Sequence, residues 1–182
     1  MSETRATGPA ATGTPAADST KVAGHEAAYY RFDPASHGWE GVERKAYAEA
    51  TAGRYFCGIE RQVIIGHHSG SPSIELRYFE VAPGGHSSLE KHRHEHLVIG
   101  ARGVGRVLIG HEVRELGEKD ALYIGPDTPH QFVNQGSAPF GFFCVVAAER
   151  DRPRDLDPEE QAAIDRDPAA CALVRRGPAE SV

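Results

Sequence analysis

The chain has 182 residues, the size of one domain with short extensions. Its 20 Lys and Arg face 26 Asp and Glu, a formal net charge of −6 without a basic stripe, so nucleic acid and anionic lipid are not expected partners. The longest strongly apolar runs, such as Phe142 to Ala148, fall far short of a membrane span, no apolar signal region follows a basic N-terminus, and Cys57, Cys144 and Cys171 make no CxxC pair, which together point to a reduced, cytoplasmic setting.

Residues 1–24 are rich in Ala, Thr, Gly and Pro, with Val22 as their large aliphatic residue. They bury too little to offset their ordering entropy and read as a disordered tail. Residues 25–54 gather aromatics (Tyr29, Tyr30, Phe32, Trp39 and Tyr47) and read as a lead-in that packs on the following domain or on a dimer partner. From 55 to 150 short β-rich runs recur between Gly, Pro, Ser and Asn. The predicted strands are Gln62–Ile65, Ile74–Val81, His92–Ala101, Val104–Ile109, Glu112–Leu116, Ala121–Ile124, Gln131–Asn134 and Phe140–Val146. Pro83-Gly84-Gly85, Gly110-His111 and Gly136-Ser137 mark turns. The pattern predicts an all-β antiparallel barrel or sandwich. Residues 151–182 form a helical extension: Asp157-Pro158-Glu159-Glu160 is a helix-start signal, and Asp167-Pro168 opens a second short helix through Arg175.

The chemistry concentrates in Gly84-Gly85-His86-Ser87-Ser88-Leu89-Glu90-Lys91-His92-Arg93-His94-Glu95-His96. In an extended strand Glu90, His92, His94 and His96 share a face. Imidazole and carboxylate together suit one divalent transition metal, whether iron, zinc, manganese or nickel. His130, ahead of a predicted strand, is placed to close the site from a neighbouring strand.

These segments resemble the cupin family. The first cupin motif runs Gly, five residues, His-x-His, three or four residues, Glu, six residues, Gly. Here Gly84, Glu90-x-His92, His96 and Gly103 fill that spacing, so a carboxylate and a histidine have exchanged places. In the second motif His130 and Asn134 match, whereas Lys119, Gly125 and Asp127 depart from it. The resemblance spans roughly Arg77 to Val146. It implies a cupin-type antiparallel β-barrel or jelly roll, with Glu90, His92, His96 and His130 as metal ligands and His94 nearby as a proton shuttle or fifth ligand. A second register pairs His92 with His94, leaves Glu90 outside the ligand set and needs a two-residue deletion before Gly103. The resemblance also implies a homodimer.

Strand parity assigns Tyr78, Phe132, Phe142 and Cys144 to the wall of a substrate pocket that is apolar and aromatic, with few fixed charges beyond the ligands. A small-molecule substrate coordinating the metal fits that cavity. Three functions follow: a mononuclear metal oxygenase or dioxygenase, placed first; a non-redox isomerase, lyase or rearrangement catalyst using the metal as Lewis acid; and a module that binds a small ligand without catalysis. Metal occupancy is expected to fall below about pH 6, as ordinary imidazoles protonate.

Overall fold

The computed structural model describes residues 27–47, 50–51, 54–71 and 73–177, and the predicted tail 1–24 lies outside them. The lead-in contributes a two-residue hairpin, β1 (Phe32–Asp33) with β2 (Gly38–Trp39), then β3 (Arg44–Ala46) and the pair β4 (Ala50–Thr51) and β5 (Arg54–Tyr55). The barrel strands are β6 (Cys57–Ile65), β7 (Ile74–His86), β8 (His96–Arg102), β9 (Gly105–Ile109), β10 (Glu112–Leu116), β11 (Ala121–Ile124), β12 (His130–Val133) and β13 (Phe140–Ala147). Nine strands, all antiparallel to their neighbours, form one sheet in the order β10-β9-β12-β7-β13-β8-β11, with β6 on β7 and β3 on β6. The sheet curves into a nearly closed barrel.

The longest strand, β7, makes the curvature. It pairs with β13 from Ile74 to Val81 and with β6 as far as His86, which lies opposite Cys57 and also pairs with Val133 of β12. Pro83-Gly84-Gly85, expected to mark a turn, instead lies within this strand. Gly84 there has φ 78°, a conformation that side-chain-bearing residues enter at a cost. In the β8–β9 turn Gly103 has φ 60°, and a Cβ would stand 2.4 Å from the Pro139 carbonyl oxygen.

Lys119 and Asp127 stand where the cupin pattern has glycine, yet both keep positive φ, 70° and 57°. Local bonds hold each in place. The Lys119 N–H donates to the Gly100 carbonyl (2.8 Å) and the Asp127 N–H to that of His92 (2.7 Å), while the Asp127 carboxylate pairs with Arg154. Buried Asn134 closes its strand end, donating to the Val81 and Ala138 carbonyls (2.8 and 2.9 Å) and accepting from the Gly136 N–H.

Two cores result. The barrel interior holds Ile59, Val81, Val98, Val107, Phe132, Phe140, Phe142, Cys144 and Val146. Outside, α1 (Pro158–Arg166) and α2 (Pro168–Leu173) press Ile164, Ala170 and Leu173 onto Leu108 and Val133. Asp157 caps α1 as its sequence predicts, accepting from the Glu159 and Glu160 N–H groups. Gln131 locks the exit of α2: its side chain donates to the Arg175 carbonyl and accepts from the Arg175 N–H, both at 2.8 Å.

Tyr78 corrects the predicted pocket. It is buried, but on the outer face of β7, where Trp39 of the lead-in lies 5.1 Å away and Phe143 5.5 Å away, ring centre to ring centre. The lead-in covers that face, so both sides of β7 are buried and alternation alone does not tell inside from outside. The opposite parity, Arg77 and Phe79, faces the cavity.

Candidate metal centre

The segment before β8 is not the extended strand that alternation assumes. Glu90 forms an antiparallel bridge to His130, the chain bends through Arg93 and His94, and β8 starts only at His96. The bend is fastened from outside the barrel. Asp151 accepts from the backbone N–H groups of Arg93 (2.8 Å) and His94 (3.1 Å). The backbones of Lys91 and Arg154 pair, and the Lys91 ammonium reaches Glu160 (2.6 Å) and Asp157 (3.1 Å) at the start of α1.

This geometry brings Glu90, His92, His94, His96 and His130 to the wall of one cavity of about 610 Å3, together with Phe132, Phe142 and Cys144. The ligating atoms fall into two overlapping groups, His92 with His94 and His96, and Glu90 with His92 and His130, each within 4.8 Å. His92 belongs to both. Its Nε2 lies 2.8 Å from that of His96, and its ring stacks on His94 at 3.5 Å.

The hydrogen bonds on the far side of each ring fix the tautomers. His92 Nδ1 faces the His94 carbonyl, His130 Nδ1 the Thr128 carbonyl, and His94 Nδ1 the Asp151 carboxylate, all at 2.9 Å. These oxygens only accept, so each Nδ1 carries the proton and each Nε2 keeps its lone pair. His96 Nδ1 meets the Cys144 sulfur at 3.0 Å. Several bare Nε2 atoms with a carboxylate close by form a donor set that fits a divalent transition metal, and the acceptors behind the rings are the partners that orient metal-binding histidines. Glu90 itself accepts from the Ser88 hydroxyl.

Burial keeps these imidazoles neutral. It is the largest influence on His92, followed by its His130 and His94 neighbours, and brings that ring to about 3. Burial takes His130 to about 4 and also lowers His94 and His96. The Cys144 thiol is pushed up by burial. For Asp151 burial opposes ionisation, but the Arg93 N–H, the His94 ring and the His94 N–H outweigh it and hold the carboxyl below its usual range. Between pH 6.5 and about 4 an unfolded chain binds protons that the folded one does not. Stability is therefore intact above pH 6.5 and lost as pH falls toward 4, at about 1.4 kcal/mol per unit of depression for each ring. In metal-stripped protein the melting temperature should drop steadily from pH 7 to 4, and metal release should sit nearer pH 4 than 6. A flat melting profile across that range would contradict this reading.

The cavity walls depart from the expectation of few fixed charges. Phe132, Phe142 and Phe79 stack in series, at 4.3 and 5.3 Å between ring centres. Arg61, Arg77, Arg150, Arg152 and Asp151 also line the cavity. Asp151 has no motif signal because it lies beyond the last strand and acts through tertiary contact. Arg61 and Arg77 are legible only as charges within apolar strands, once the inward parity is known.

The cupin domain family profile matches residues 77–146. A curated relative from Rhodospirillum rubrum, 1-methylthio-D-xylulose 5-phosphate methylsulfurylase, is 37% identical over 136 residues, 75% of this chain and 85% of that protein. A cupin-2 domain structure from the same organism superposes with a TM-score of 0.67 at 38% identity, covering 74% of this chain and 88% of that one. A cupin 2 conserved barrel domain protein from Rhodopseudomonas palustris gives a TM-score of 0.71 at 34% identity, covering 82% of this chain and 100% of that one.

Proposed function

Because this chain belongs to the cupin family, we propose that it is a metal-dependent enzyme that moves a methylthio group from a small phosphorylated ketose to a thiol, breaking the ketose C–S bond and the thiol S–H bond and forming a C–H bond on the ketose and an S–S bond on the acceptor, on a substrate of the kind named for its Rhodospirillum rubrum relative. The observation that carries this reading is the convergence of His92, His94, His96, His130 and Glu90 on one aromatic-walled cavity. A divalent metal held by Glu90, His92, His96 and His130 would supply Lewis acidity toward a bound carbonyl oxygen. This reading favours the alternative in which the metal acts as a Lewis acid over the oxygenase.

The chain's own groups have separate tasks. Asp151 holds the Nδ1 proton of His94, so His94 Nε2 is free to take a proton from a carbon beside a carbonyl or to return one. Phe79, Phe132 and Phe142 exclude water and give a thioether sulfur aromatic surface to pack on. The test is to incubate metal-loaded protein with 1-methylthio-D-xylulose 5-phosphate, with and without a thiol acceptor, and follow the S-methyl proton resonance. Conversion that stops on chelation is expected. No conversion with iron, zinc, manganese or nickel would reject the reading, and turnover that consumes oxygen would return the oxygenase.

The homodimer is also a proposal. Leu97, Ile99 and Tyr123 stand about half exposed on the outer face of β8 and β11, with Leu97 opposite Tyr123 in register. A second copy covering this apolar patch removes it from water. Light scattering at tens of micromolar should give the dimer mass, and a monomer would reject it. Among the described residues no helix is long and apolar enough to cross a membrane.

A further inference from the structure

We infer that Arg61 and Arg77 form an oxyanion subsite in the cavity that takes the phosphate monoester of the substrate. The choice of phosphate rests on the substrate reading above, whereas the subsite rests on the arginines themselves. Val63 pairs with Arg77 and Arg61 with Phe79 across β6 and β7, so the two guanidinium-bearing residues are diagonal neighbours on the inner face. Both line the same cavity as the histidines.

Neither arginine has a carboxylate partner among the described residues. Arg77 is only 6% exposed, and its one side-chain hydrogen bond runs from Nη2 to the Cys144 sulfur at 3.3 Å. Its guanidinium lies over Phe79 at 5.2 Å, and that of Arg61 over Tyr47 at 5.5 Å. The Nε atoms of both are buried without any hydrogen-bond partner. A buried cation without a counterion and with an orphaned donor is unfavourable unless something completes it. The cavity carboxylates are engaged elsewhere, Asp151 by His94 and backbone N–H groups and Glu90 by Ser88.

An anion is the partner that suits both guanidinium groups. Planar guanidinium edges present paired N–H donors that match phosphate oxygens, and two such groups suit a dianion better than a carboxylate. Cys144 lies between Arg77 Nη2 and His96 Nδ1, at 3.3 and 3.0 Å. The subsite is thus one side chain removed from the metal-binding cluster, which leaves the reacting carbons of a phosphorylated substrate at the histidines and its phosphate at the arginines.

The test is calorimetric titration of the full-length protein, as purified with its metal, with inorganic phosphate. Arg77→Met and Arg61→Met should each weaken phosphate binding about tenfold or more while metal content stays unchanged. Arg77→Met should also raise the melting temperature in phosphate-free buffer, because it removes an uncompensated buried charge, an effect that a purely structural arginine would reverse. If Arg77→Met does not fold, Arg61→Met carries the titration, since Arg61 is only half-buried. Unchanged phosphate affinity in the variants would overturn the subsite. So would binding that His130→Ala abolishes and the arginine variants leave intact, since the anion would then sit on the metal. Phosphate binding that depends on the arginines, in a protein that does not convert the methylthio-ketose phosphate, would sustain the subsite and reject only the proposed reaction.

Discussion

His130→Ala should strip the protein of most of its metal, lowering affinity on the order of 100-fold or more. Loss of an outer partner to a ligand typically costs 10- to 100-fold, and loss of the ligand itself costs at least that. His130 is the donor contributed by β12, and the remaining residues of that strand, Gln131, Phe132 and Val133, offer no replacement. The other donors all sit on the segment from Glu90 to His96. His130 is buried against the cavity wall, with its Nδ1 proton tied to the Thr128 carbonyl, so its Nε2 is already aimed when a metal arrives. The fold should survive, because His130 joins the sheet through its backbone: its N–H and carbonyl pair with Glu90 at 2.9 and 3.2 Å. Metal stoichiometry by elemental analysis of the folded variant checks this, and full occupancy would remove His130 from the site.

Glu90→Gln and His94→Gln should separate cleanly. Glu90→Gln removes the anionic donor from a buried site, where charge compensation matters most, and should weaken metal binding about tenfold or more. His94→Gln should keep the metal and slow turnover. In the proposed reaction the imidazole that stacks on His92 and leans on Asp151 carries the proton, and an amide cannot replace it. The two overlapping donor groups make this pair the informative one, since Glu90 and His94 belong to different groups and share only His92 as partner. Metal content and turnover measured on both variants decide it. Metal loss in His94→Gln with retention in Glu90→Gln would move the ligand set two residues along the chain.

Much of the barrel was legible because its signals are local. Glu112–Leu116 and Ala121–Ile124 form as their alternation and flanking turns predict. Asp157 and Asp167 cap α1 and α2, and Pro follows each in the first turn. The errors arise where tertiary structure overrides a local period. Lys91 to Glu95 bends instead of extending, because Arg154, Asp127 and Asp151 supply the backbone partners that a neighbouring strand would otherwise give. Tyr78 and Phe79 exchange roles because the lead-in buries the outer face as thoroughly as the barrel buries the inner one. Glu90, His92, His94, His96 and His130, which line one cavity, were singled out by alternation and by the cupin resemblance. Asp151, Arg61 and Arg77 were not, since no motif links them and only folding brings them to the cavity.

In the proposed site His92, His96 and His130 hold one metal inside this cavity. Crystals of the metal-loaded protein, measured at the absorption edge of the bound element, test it most directly. The expected result is a single anomalous peak about 2.0–2.2 Å from the Nε2 atoms of His92, His96 and His130. A stoichiometric metal whose anomalous peak lies away from these three nitrogens would contradict it.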